Sequence, residues 1–197
     1  MELKFLGTGG GRYVTGRQIR KTAGILVKTE QTQIHIDPGP GALLEANKNE
    51  PEKTDAVLVS HSHVDHASDA NAVIEMMSEA YRNQANLITN ETALHGYGDI
   101  ESQITGYHQE MAKVREMKGG DSLEFRSLRL EFQTMFHSDP KTLGFTVEDD
   151  GQKIGFWTDT EYSDELVEFY EGCDTLIIYC SRPRNEGTRT HTALDDI

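Results

Sequence analysis

Short runs of apolar residues follow one another along this chain, most of them about as long as one β-strand. Nine read as strands: Leu3–Leu6, Gly24–Val27, Gln33–Ile36, Ala56–Ser60, Asn86–Thr89, Leu123–Phe136, Gly144–Val147, Ile154–Trp157 and Thr175–Tyr179. Several are followed by Gly, Asn or Asp, residues that accept turn geometry. Asp150-Gly151, set between two of these runs, predicts a tight hairpin. One longer stretch has helical spacing. From Ser68 to about Arg82 the apolar residues Ala72, Val73, Met76, Met77 and Ala80 share a face, with Ser68 as N-cap and Asp69 in the first turn. Gly41–Lys48, Tyr107–Met117 and Ser163–Tyr170 are shorter helix candidates. Strands with helices between them imply sheets covered by helices, with the working residues at strand ends and in loops.

No repeat, low-complexity tract or linker interrupts this pattern, so 1–197 reads as one domain, long enough to bury a core. No apolar run is long enough to span a bilayer, and the N-terminus lacks the marks of a signal peptide. Cys173 and Cys180 make no disulfide framework. The expected address is the cytoplasm, with no membrane partner. Thr192-Ala193-Leu194-Asp195 resembles a capping box with Asp in the Glu/Gln place, yet the chain stops at Ile197. So short a helix has little standing alone, and the fold is expected to lack its final C-terminal strand or helix.

Charge narrows the partners. The formal net charge is −14. An acidic surface repels phosphate backbones at long range, which disfavours nucleic acid and leaves a small anionic substrate as the expected partner. Bound divalent cations would offset part of this charge. A homodimer is compatible with the same composition.

The candidate chemistry sits in His61-Ser62-His63-Val64-Asp65-His66. The strand Ala56–Ser60 delivers the chain into this run, and a helix opens after it. Four ligating groups on one loop can converge, and imidazole and carboxylate donors suit Zn, Mn or Fe. His61 and His63, two apart, can face one side of an extended segment, while Asp65 and His66 follow where the chain turns. Downstream, His137 and Asp159 stand at the ends of β-like runs. They could add a third imidazole and a carboxylate able to bridge two ions.

With these residues the chain resembles the metallo-β-lactamase fold superfamily. The matching pieces are Phe5-Leu6-Gly7-Thr8-Gly9-Gly10, Ile36-Asp37-Pro38-Gly39, the histidine run, His137 and Asp159-Thr160. The opening and His191-Thr192 look most like the branch of tRNA 3′-processing endonucleases and phosphonate-pathway cyclic phosphodiesterases. The resemblance implies an α+β fold, a four-layer αββα sandwich. It implies two divalent ions, most naturally zinc, with manganese or iron acceptable. His61, His63 and His137 would hold one ion, Asp65 and His66 the other, and Asp159 would bridge them. Asp37 would orient the histidine loop, a role that stands beside the plainer one of a turn residue before Pro38. Relatives of this kind offer one more His on a late strand, which this chain lacks.

The implied activity is metal-dependent hydrolysis of a phosphodiester in a small substrate, with a metal-bridging hydroxide as nucleophile. Asp65 would serve the catalytic centre as well as the metal, and His191 would protonate the leaving group. Arg12, Arg17, Arg20 and Lys21, and then Arg182, Arg184 and Arg189, are basic stretches suited to phosphate oxygens, or ordinary solvated charge. The segment from His95 to Lys118 reads as a lid or a long connection. Alternatives of the same fold are a thioester or lactam hydrolase and a diiron redox protein. His63, where such redox relatives have Glu, and the lack of a flavin domain count against the latter. A non-catalytic metal binder is the alternative of another class.

Overall fold

A computed structural model describes residues 1–79, 81–185, 187 and 190–197. Ala80, placed on the helix face above, and Arg189 lie outside the described residues. The chain divides into two compact units, 1–117 and 118–197.

The first unit contains β1 (Glu2–Phe5), α1 (Arg12–Arg17), β2 (Ile25–Lys28), β3 (Gln33–Ile36), α2 (Ala42–Ala46), β4 (Ala56–Val59), α3 (Val64–Ala67), α4 (Ala70–Ser78), β5 (Ala85–Thr89), α5 (Glu91–His95), α6 (Gly106–Glu110) and β6 (Ala112–Glu116). Its sheet runs β1-β2-β3-β4-β5-β6. The first two pairings are antiparallel and the last three parallel. Parallel pairing requires helical crossovers, and the strands they cover read as continuous apolar runs. Ala56-Val57-Leu58-Val59 is such a run, buried at every position. Because β3, β4 and β5 are parallel, their C-terminal ends share one sheet edge. There the chain leaves β3 into Asp37, β4 into Ser60 and the histidine run, and β5 into Asn90.

The second unit contains β7 (Ser122–Phe125), β8 (Leu128–Thr134), β9 (Leu143–Asp149), β10 (Gln152–Trp157), α7 (Asp164–Phe169), β11 (Thr175–Ile178), β12 (Cys180–Arg182) and β13 (Thr192–Ala193). Its main sheet runs β11-β10-β9-β8-β7, with only the β10–β11 pair parallel. Phe132, Phe145 and Phe156 are fully buried, and the Phe145 and Phe156 rings stack at 4.9 Å. β8 and β10 are both antiparallel to β9, so their C-terminal ends share an edge. His137 follows one and Asp159 follows the other.

The Asp150-Gly151 hairpin is present, with φ of 48° and 77°, the double left-handed turn its sequence favours. Four expectations need correction. The run Leu123–Phe136 is two strands, broken at Arg126, whose φ is 54°. Tyr107–Met117 is not one helix: α6 ends at Glu110, and Ala112–Glu116 extends as the edge strand β6. The 68–82 helix is shorter than expected: α3 precedes it, and the helix described within it is α4, which stops at Glu79, whose φ is 46°. Its buried face carries Ala70, Val73, Ile74 and Ser78, with Met76 and Met77 partly buried against the same core. Val73, Met76 and Met77 are thus as expected, Ala70 and Ile74 are additions, and Ser68 ends α3 rather than capping α4. At the end of the chain a 3-10 turn, Leu194–Asp196, is held by Asp196, which accepts from the Ala193 N–H at 2.8 Å. The expected box of Thr192 and Asp195 is therefore shifted by one residue. The stretch left open as lid or connection is built into α5, α6 and β6 up to Met117. Among the described residues no helix is long and apolar enough to cross a membrane.

Gly24 sits at φ 74°, where a Cβ would lie 2.1 Å from the Ile36 carbonyl oxygen. Gly24→Ala is expected to destabilise the fold by at least about 2 kcal/mol, read as a lower urea midpoint; an unchanged midpoint would contradict this packing. His35, buried in β3, donates from Nε2 to the Ala23 carbonyl at 2.8 Å. Burial pushes its pKa below 6.5, against the Ala23 carbonyl and the charges of Asp37 and Asp69, which raise it. The neutral ring therefore contributes stability that is full above the unfolded value and lost as pH falls through the depressed folded value. Urea unfolding at pH 7, 6 and 5 should show a steeper loss for wild type than for His35→Gln; parallel losses would refute the linkage.

Candidate metal centre

Asp37 organises the site in the first unit. Its backbone is left-handed, with φ 49°, so it is indeed a turn residue. Its carboxylate also takes three hydrogen bonds. The Ser60 N–H donates to Oδ1 at 2.7 Å, the Ser60 hydroxyl to Oδ2 at 2.8 Å, and His66 Nδ1–H to Oδ2 at 2.9 Å. Having spent its proton on Asp37, the Ser60 hydroxyl accepts from His61 Nδ1 at 3.0 Å. One carboxylate thus fixes the tautomer of two imidazoles, one directly and one through Ser60. In both, Nε2 is left as the lone-pair nitrogen, the form a metal ligand needs.

His61 Nε2 lies 3.0 Å from His63 Nδ1. Two nitrogens bound to one zinc at about 2.0–2.1 Å stand roughly that far apart. Asp65 Oδ2 is 3.8 Å from His66 Nε2 and accepts the Gly11 N–H at 2.7 Å. His61 and His66 are buried, with Asp65 partly covered. The donor types, the fixed tautomers and the nitrogen spacing fit a divalent cation.

In the second unit His137 donates from Nδ1 to the Thr190 carbonyl at 2.7 Å, which again leaves Nε2 as the acceptor nitrogen. That atom is 3.8 Å from Asp159 Oδ2. His191 Nε2 reaches the same oxygen at 3.3 Å, and its Nδ1 meets the Thr190 hydroxyl at 2.9 Å. The unit therefore gathers His137, Asp159 and His191 around one carboxylate. Arg182 and Arg184 are exposed. In the first unit Lys21 pairs with Glu45, and Arg17 lies over the Tyr13 ring at 5.0 Å.

Several residues support the site in ways the sequence did not announce. Asn90 caps α5 and donates to the Ser60 carbonyl at 3.2 Å. Asp69 accepts from the N–H groups of Gly41 and Leu43, tying the loop after Asp37 to the start of α4. A Cβ on Gly39 would lie 2.0 Å from the Asp65 carbonyl oxygen, so only glycine lets these loops touch. A glycine after Asp-Pro and an Asn at the end of a strand were the available hints.

Known proteins are similar to this chain. The profile of the β-lactamase superfamily domain covers residues 32–197. An uncharacterised protein of Methanocaldococcus jannaschii, MJ1374, is 32% identical over 200 residues, which cover 100% of this chain and 75% of that protein. Ribonuclease Z of Methanopyrus kandleri is 30% identical over 156 residues, 74% of this chain and half of that one. The crystal structure of the metallo-β-lactamase fold protein YhfI from Bacillus subtilis superposes with a TM-score of 0.73 at 21% identity, covering 86% of this chain and 68% of that one. A diphosphatase of the PhnP family gives 0.70 at 18%, covering 98% and 78%. The expected α+β class and metallo-β-lactamase fold are thereby established, and the chain belongs to the β-lactamase superfamily domain family, whose members are generally metal-dependent hydrolases.

Proposed function

We propose that this chain is a binuclear metal-dependent phosphodiesterase acting on a small anionic substrate. The observation that carries the reading is the Asp37 network, which presets His61 and His66 with Nε2 as the ligating atom. The names of two relatives add support: a ribonuclease and a diphosphatase both break bonds at phosphorus. His61, His63 and His137 are assigned to one ion, Asp65 and His66 to the second, and Asp159 to both. Zinc is the first choice of metal. When bound, such ions supply Lewis-acid polarisation and a water acidified toward neutral pH.

The protein's own groups do the rest. Asp37 and the Thr190 carbonyl hold imidazoles in the ligating tautomer, and the Gly11 N–H holds the Asp65 carboxylate in place. His191 supplies a proton to the departing oxygen, a step typically worth about 10²–10⁴-fold. Exposed Arg182 and Arg184 offer planar forks to the phosphate oxygens.

Zinc-loaded protein should turn over bis(p-nitrophenyl) phosphate, lose that activity to a chelator and regain it on adding metal. His63→Ala should abolish it. Asp37→Asn should weaken zinc binding about 10–100-fold, read by competition with a chromophoric chelator. Full metal loading without turnover of any phosphodiester would overturn the catalytic reading and leave a metal binder.

A further inference from the structure

We propose that Thr192 is the positioning residue of His191, acting through a hydroxyl shared between the Trp157 indole and the Thr160 carbonyl. The proposal rests on the phosphodiesterase reading for what His191 does; the geometry stands apart from it. A hydroxyl has one proton to give and lone pairs to receive. Here it donates to the Thr160 carbonyl at 2.9 Å and accepts the Trp157 Nε1–H at 2.9 Å. All three residues are buried. An indole N–H out of reach of water needs an acceptor, and Thr192 provides it.

Thr160 is itself tied to the strand end that carries His137. Its hydroxyl accepts from the Phe136 N–H at 2.9 Å, and the next residue, Glu161, donates its N–H to the Phe136 carbonyl at 2.8 Å. On the other side of His191, the Thr190 carbonyl accepts from His137. His191 is thus held between two threonines, one bound to His137 and one to Thr160 and Trp157. Its Nε2 is fixed against Asp159 by both neighbours rather than by its own bonds alone. Among the described residues this stretch is also tied by the short β12–β13 pairing and by Asn185, which donates to Asp195 and Asp196.

Thr192→Val keeps the shape and removes the hydroxyl, and Thr192→Ser restores it. Trp157 is the only tryptophan, so its indole N–H gives one resonance that reports the contact without any metal or substrate. In metal-free protein this proton should exchange at least ten-fold faster in Thr192→Val than in wild type, and return to the wild-type rate in Thr192→Ser. With zinc loaded, Thr192→Val should lower kcat on uridine 2′,3′-cyclic phosphate, whose leaving group is a ribose alkoxide that must take up a proton, about 10–100-fold. KM should stay within two-fold, and bis(p-nitrophenyl) phosphate, whose leaving group needs no proton, should change less than three-fold.

Equal losses on both esters, no loss on either, or failure of Thr192→Ser to rescue would overturn the proposal. Should Thr192→Val not fold, Trp157→Phe removes the N–H while keeping a ring, and must show the same selective loss on the cyclic ester. An unaffected Trp157→Phe refutes the shared hydroxyl. If wild type hydrolyses neither ester, the phosphodiesterase reading fails, and the indole exchange rate still decides whether Thr192 holds Trp157.

Discussion

A carboxylate removed from water must find donors for its charge, and Asp37 finds three at the point where parallel strands end. The donors come from Ser60 and His66, so satisfying Asp37 and shaping the histidine loop are one event. Each imidazole bound in this way gives up its choice of tautomer. Charge-assisted bonds of this kind are roughly twice as strong as neutral ones, which suits a loop that must hold its shape before a cation arrives. The left-handed backbone of Asp37 is the strain that this bonding sustains.

The sheet explains why the partners meet. Parallel strands put their C-terminal ends on one edge whatever the loops contain, so Asp37, Ser60 and Asn90 are neighbours through topology. The second unit reaches a similar result by another route. Two strands antiparallel to a shared neighbour end together, and this brings His137 to Asp159. Backbone pairing sets the distances at the level of a strand width, and the hydrogen bonds of Thr160, Thr190 and Thr192 set them at the level of a ligand atom.

Legibility in the sequence followed the same division. The run from His61 to His66 was readable because its donors are contiguous, and contiguous residues on one loop need no tertiary knowledge to be placed together. Asp37 was readable only as an ambiguity between turn and partner, and it proves to be both. The Tyr107–Met117 stretch misled because Ala112-Lys113-Val114-Arg115-Glu116 has good helix formers at positions where an edge strand wants charge. Ile74 lies off the expected helix face because the buried stripe of α4 runs through Ala70, Val73 and Ile74, turned slightly round the helix from Ala72, Met76 and Met77. Thr160 and Thr192 stood out only as the neighbours of Asp159 and His191, and their positioning bonds were not legible because the partners lie far off in the chain.

The Asp150-Gly151 turn has a practical consequence. It lies at the opposite end of β10 from Asp159, about 20 Å away along six residues of strand. Its geometry is specified by two local residues and by no side chain of the donor set. The hairpin tip is therefore a place where a dye or an affinity peptide can be spliced in, leaving the chelating end of the sheet undisturbed.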